Sequence, residues 1–126
     1  MLGVLMATFN FVGSSGRKYS FLLLPVDLPT MPRQGGVYIF TAGNAQDPKP
    51  VWIECADRLR NDIMNHMAQS YWNLLTDPYG ATLFYVHFDT EGTPLSRLQE
   101  KIDLIDFYRP PMNRDDGAGD RPEDAQ

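Results

Sequence analysis

Five short apolar runs, each closed by turn-forming residues, fix the frame of this chain. They are TFNFV from Thr8, YSFLLLPV from Tyr19, GVYIFT from Gly36, VWIEC from Val51 and TLFYVHF from Thr82. Short runs rich in aromatic and β-branched side chains and bounded by Gly, Pro, Asn or Asp predict strands. The first two, joined by SSGRK, predict an N-terminal β-hairpin. The proline-rich stretch DLPTMPRQGG predicts a loop, and the polar segment Ala42 to Pro50 predicts a turn-rich connection.

Two stretches carry helical periodicity instead. Asp57 is placed to cap a helix in which Leu59, Ile63 and Met67 recur every four residues and predict a buried stripe. Thr93 and Pro94 open a second helix, TPLSRLQEKIDLIDFY, whose Leu95, Leu98, Ile102 and Ile105 predict its inner face. RPPMN ends it. The order β-β-β-β-α-β-α predicts an α+β domain, a small and mainly antiparallel sheet with helices packed on it. The expected organisation is an N-terminal hairpin over residues 1–30, an α+β body over 31–114 and an acidic tail over 115–126.

Charge divides along the same lines. The chain carries a net charge of −5, but five acids and a single Arg lie in the tail DDGAGDRPEDAQ. The remainder holds ten bases and eleven acids. The tail has too little apolar surface to offset its ordering entropy and is expected to be disordered. A nearly neutral body lacks the broad positive field of a general nucleic-acid binder. GRK at Gly16 and DRLR at Asp57 are the nearest approaches to a basic patch, so Arg58 and Arg60 are the candidate phosphate contacts. The single cysteine, Cys55, makes no internal disulfide, and MLGVLMA is too short for a signal core or a membrane span. Both observations predict a cytoplasmic protein with no membrane partner.

GVY at Gly36, a second strand WIE at Trp52, LR in the following helix, His66 at its far side and the terminal LIDFYRPPMN occur in an order that resembles a GIY-YIG nuclease domain. The resemblance runs from Gly36 to Asn113. It implies metal-assisted cleavage of DNA, with tyrosines activating water, an arginine on the first helix stabilising phosphate charge, a glutamate on a later helix holding Mg²⁺, and a supporting asparagine. On this register Tyr38, His66 and Asn113 match the family. Trp52 replaces the second tyrosine, Glu54 a glycine and Asp62 the arginine. Lys101, with Glu100 beside it, falls at the position of the metal-binding glutamate.

Phosphoryl transfer depends on positioning and on offsetting negative charge. Asp62 for Arg, an added Glu54 and a cation-repelling Lys101 all oppose that chemistry. The resemblance therefore implies an inactive GIY-YIG-like domain that binds a protein or nucleic-acid partner and needs no cofactor. A divergent Mg²⁺-dependent nuclease using Tyr38, His66, Asn113 and Glu100 as metal ligand is the rival. Two further readings come from the residues themselves. Asp62 and His66, spaced i, i+4, with Glu54 suggest a metal site. The N-terminal hairpin suggests a sheet edge for homodimer pairing. His87, within a core-like strand, is expected to be a structural histidine.

Overall fold

The structure, a computed structural model, describes residues 7–24, 34–59, 61–62, 83–89 and 91–115. Five strands, β1 (Thr8–Val12), β2 (Lys18–Leu24), β3 (Gly36–Asn44), β4 (Asp47–Ala56) and β5 (Leu83–Phe88), are followed by helices α1 (Pro94–Tyr108) and α2 (Pro111–Asp115). The strands form one curled antiparallel sheet in the order β1-β2-β5-β3-β4. The fold is thus α+β. The N-terminal hairpin is continuous with the sheet, because Leu22 of β2 stands opposite Val86 of β5.

Alternation along the strands sends side chains to two faces. Tyr38, Phe40, Trp52, Phe84 and Val86 line one face, with Leu59 and Met112 closing over them. Phe11, Tyr19, Phe21, Val37, Ile39, Ile53 and Tyr85 line the other, beneath Leu104. Each such side chain, once fully buried, contributes ~1.5–3 kcal/mol. At the start of β3, Gly36 serves a packing need. A Cβ there would stand 2.3 Å from the His87 carbonyl oxygen and 3.0 Å from Leu59 Cδ1.

The expected connection over Ala42–Pro50 is instead mostly strand. β3 runs on to Asn44 and β4 begins at Asp47, so the turn is only Ala45–Gln46. The Asn44 side chain organises it by accepting from the Gln46 and Asp47 amides at 3.0 and 2.9 Å. Pro48 and Pro50 are tolerated because β4 is an edge strand, and the register shifts between Phe40 and Thr41, where Pro50 pairs.

Helix α1 begins as its sequence predicts. Thr93 accepts from the Ser96 amide, Ser96 answers on the Thr93 amide, and Pro94 opens the first turn. Arg109, at φ 52°, ends it in the left-handed conformation. The predicted inner face is wrong. Leu95, Leu98 and Ile102 face solvent, while Arg97, Glu100 and Leu104 are buried. Ile105 alone of the expected set packs partly on the core. The physical reason is pairing: Arg97 through its two terminal nitrogens, Glu100 and Lys101 each find a partner, and only Arg97 Nε is left without one among them. A short helix, α2, follows where only a stop was expected.

Of the first predicted helix, Leu59 is fully buried. The Asp62 amide bonds the Arg58 carbonyl at 3.1 Å, in helical fashion. Ile63 and Met67 lie outside the described residues, as does the tail beyond Asp115. No helix among the described residues is long and apolar enough to cross a membrane.

Candidate functional site

Tyr38 is the third residue of β3 and has no exposed surface. Its phenol donates to Asp62 Oδ2 at 2.8 Å. Burial, and then the Asp62 charge beside it, push its pKa well above the ordinary phenol value. The group is therefore a fixed proton donor at neutral pH. Directly across the ladder stands Glu54, on the same face. Glu54 Oε1 accepts from Lys101 Nζ at 2.5 Å, and the Cys55 amide also donates to it at 3.2 Å. Both side chains of the Glu54–Lys101 pair are largely buried.

Four residues singled out from the sequence thus come together: Tyr38, Glu54, Asp62 and Lys101. Their contacts satisfy one another. Asp62 accepts a hydrogen bond from the neutral phenol, and the Lys101 ammonium sits on the Glu54 carboxylate. A divalent cation needs several oxygen ligands, and here Asp62 Oδ2 and Glu54 Oε1 are already engaged. Among the described residues no three of His, Cys, Asp and Glu are grouped to hold a metal. Nearby, burial raises the Cys55 thiol above its usual pKa, which disfavours a reactive thiolate.

Trp52, almost wholly buried, stacks on Phe40 with ring planes 20° apart and meets Tyr38 edge-on. Asn113 enters from α2. Its Oδ1 accepts from the Ile53 amide and its Nδ2 donates to the Ile53 carbonyl, both at 2.8 Å. The side-chain amide thus behaves as one rung of a further strand, and it covers the β4 edge at that point.

Glu100 is elsewhere. It is buried, and its Oε2 lies 2.8 Å from His87 Nδ1. His87 packs against Phe21 on the α1 side of the sheet. Alternation along β3 and β5 therefore puts Glu100 and the Tyr38 phenol on opposite faces. The hydrogen bond to Glu100 holds the His87 pKa above its ordinary value, against the opposing effect of burial. Arg58 is exposed, two residues beyond β4. His66 and Arg60 lie outside the described residues, so the third member of the Glu54–Asp62–His66 set is not placed.

Two polar clusters went unread in the sequence. Arg97 is buried, and its Nη1 donates to the carbonyls of Asp89 (2.8 Å) and Gly92 (3.3 Å) while Nη2 meets Asp57 Oδ1 at 3.1 Å. It ties the β5–α1 connection to the end of β4. Asp103 holds the SSGRK turn. It accepts from the Ser15 amide and hydroxyl at 2.9 and 2.7 Å, from Ser14 at 3.2 Å and from Tyr19 at 2.8 Å. Desolvation would raise the Asp103 pKa, but these donors outweigh it and hold the carboxyl below its usual value. Tyr19 is pushed up to about 12 by burial and by Asp103. Neither cluster has a sequence motif, because the side-chain partners lie far apart along the chain, Asp57 being 40 residues from Arg97 and Tyr19 84 from Asp103. Comparison with protein-family models, with curated proteins and with solved structures returned no match.

Proposed function

We propose that this chain is a catalytically inactive GIY-YIG-like domain that serves as a binding or interaction module, with a protein or a nucleic acid as its partner. The carrying observation is the Lys101–Glu54 ion pair. On the register of the resemblance, Lys101 takes the place of the metal-holding glutamate and Glu54 that of a glycine. The two replacements satisfy each other, so an ammonium supplies the positive charge that a cation supplies in the family. Among the described residues, the engagement of Glu54 with Lys101 and of Asp62 with Tyr38 counts against Mg²⁺ there. The second pair supports the same reading: Asp62, at the family's arginine, accepts a hydrogen bond from Tyr38, at the family's first tyrosine. A desolvated phenol held protonated does not activate water, and a carboxylate at position 62 does not offset phosphate charge. Asn113, which matches the family's asparagine, spends its amide on the Ile53 backbone.

The test is cleavage of labelled single- and double-stranded DNA at high protein concentration, with Mg²⁺ and then Mn²⁺. Wild type is run beside Tyr38→Phe, His66→Ala and Glu100→Gln. The expected result is no metal-dependent cutting above background by any of the four proteins. Metal-dependent cutting by wild type that all three changes remove would establish the rival nuclease and overturn the inactive reading.

A further inference from the structure

The outward face of α1 carries an apolar row that a single copy leaves in water. Leu95, Leu98 and Ile102 are 62%, 42% and 56% exposed. Ile105, half-buried against the core, continues the row. Steps of three, four and three residues make the seam by which one helix packs lengthwise on another.

The row is also symmetric about its own centre. A two-fold axis at the level of residue 100 exchanges position 95 with 105 and position 98 with 102. Each apolar position of one copy then meets an apolar position of the other, as an isologous contact requires. Charge follows the same symmetry. The first turn of α1 has no acidic residue and the last no basic one, so beyond the Thr93–Ser96 capping box no opposite charge within those turns offsets its dipole. The same axis carries Asp106, which is exposed and lies 3.6 Å from Arg109 Nη2 in a solvated pair, onto position 94, the opening residue of the partner's helix. A carboxylate is favourable at that positive end.

The sheet edges offer less. Pro48 and Pro50 have no amide hydrogen to donate along β4, and Asn113 occupies both backbone groups of Ile53. At the two ends of β1, the bonds of Ala7 with Leu23 and of Gly13 with Arg17 set the backbone groups of the odd-numbered residues inward. The Val12 amide, facing out, is taken by Tyr108 Oη at 2.9 Å. Thr8 and Asn10 are then the outward-facing rungs that remain in β1.

We propose that α1 is a homodimerisation helix, on which two copies of this chain associate antiparallel through Leu95, Leu98, Ile102 and Ile105. The contact does not involve the Tyr38–Lys101 cluster, so it stands apart from the reading of that site. A seam of four side chains per copy lies below ~1,200 Å² of total buried surface, the lower end of specific interfaces. The dimer therefore dissociates on dilution.

Sedimentation equilibrium of the full chain from ~1 μM to ~0.5 mM, a range that captures micromolar to submillimolar Kd values, is the test. The mass is expected to rise from 14.3 kDa towards twice that value. Leu98→Glu/Ile102→Glu sets like charges across the axis and is expected to abolish the rise. Leu98→Lys/Ile102→Glu sets opposite charges across it and is expected to restore association. Both variants change exposed positions, and their circular dichroism is expected to match wild type. A mass of 14.3 kDa throughout the range overturns the proposal. So does a dimer that neither double variant weakens, and a dimer that both abolish alike overturns its antiparallel register.

Discussion

Helix α1 has two faces, and their chemistry is the reverse of what an amphipathic helix leads one to expect. The face against the sheet buries Arg97 and Glu100 beside Leu104, and Lys101 is mostly covered. The face towards solvent shows Leu95, Leu98 and Ile102. Burial of a charged group is costly unless it is paired and hydrogen-bonded. Here Arg97 has Asp57 and two carbonyls, Glu100 has His87, and Lys101 has Glu54. The inner face is therefore specified by polar partners fixed elsewhere in the fold. The outer face has no such specification within one copy.

Removing an inner-face partner is the strongest way to break this comparison. Arg97→Ala leaves the Asp89 and Gly92 carbonyls without their guanidinium donor and opens space beneath Gly35, from whose Cβ position the Arg97 Cζ is 2.6 Å. The expected loss, read by urea unfolding, is about 3 kcal/mol. Arg97→Lys recovers only a fraction, since an ammonium cannot reproduce the forked contact. Lys101→Met is next. It strands the Glu54 carboxylate at a largely covered position near Asp62 and is expected to cost about 2 kcal/mol. In the double variant Lys101→Met/Glu54→Gln much of that loss returns, because the unpaired charge is gone. An additive double variant would mean that the pair contributes nothing beyond its separate members.

The same comparison explains what was legible in the sequence. All five strands were marked by apolar runs, and the start of α1 by Thr93 and Pro94, because these signals are local. The β3–β4 turn was hidden by Pro48 and Pro50, which look like loop residues unless their strand is known to lie at an edge. The inner face of α1 was hidden for a related reason. Apolar spacing alone selects Leu95, Leu98 and Ile102, whereas Arg97 and Lys101 are held by Asp57 and Glu54, some forty residues away. No window along the chain contains both partners. For the candidate site, the residues Tyr38, Glu54, Asp62 and Lys101 could be named from their order, but not the two contacts that join them. Those contacts follow from the pairing of Tyr38 with Glu54 across the ladder and from the docking of α1, both tertiary facts.

A subtler probe of the inner face is pH. The Glu100 bond raises the pKa of His87 in the folded protein above the unfolded value of ~6.5. The protonated imidazole thus contributes stability that is fully present below the unfolded pKa. That contribution is lost as pH rises through the raised folded value. Urea midpoints of wild type are expected to fall across that window, while those of His87→Gln change less. A wild-type midpoint that instead rises there would mean that the histidine is held neutral, and would remove one of the partners on which the inner face depends.

The smallest expected effect belongs to the outer face and sharpens the contrast most. Leu95→Lys places a charge where the side chain is already 62% exposed, so it removes little buried area and leaves no polar group unpaired. In dilute protein, where a single copy prevails, its effect on unfolding free energy is expected to stay within ~0.5 kcal/mol. The identical measurement at high concentration has a different expectation. Any association that consumes the apolar row adds to apparent stability by mass action, and Leu95→Lys removes that increment. The gap between wild type and variant should therefore widen with protein concentration, whereas the deficit of Arg97→Ala in dilute protein should not close on further dilution. A concentration-independent loss of 2 kcal/mol or more at Leu95, of roughly the size set by a true core residue, would mean that this face is covered within a single chain, and the two faces of α1 would then be alike.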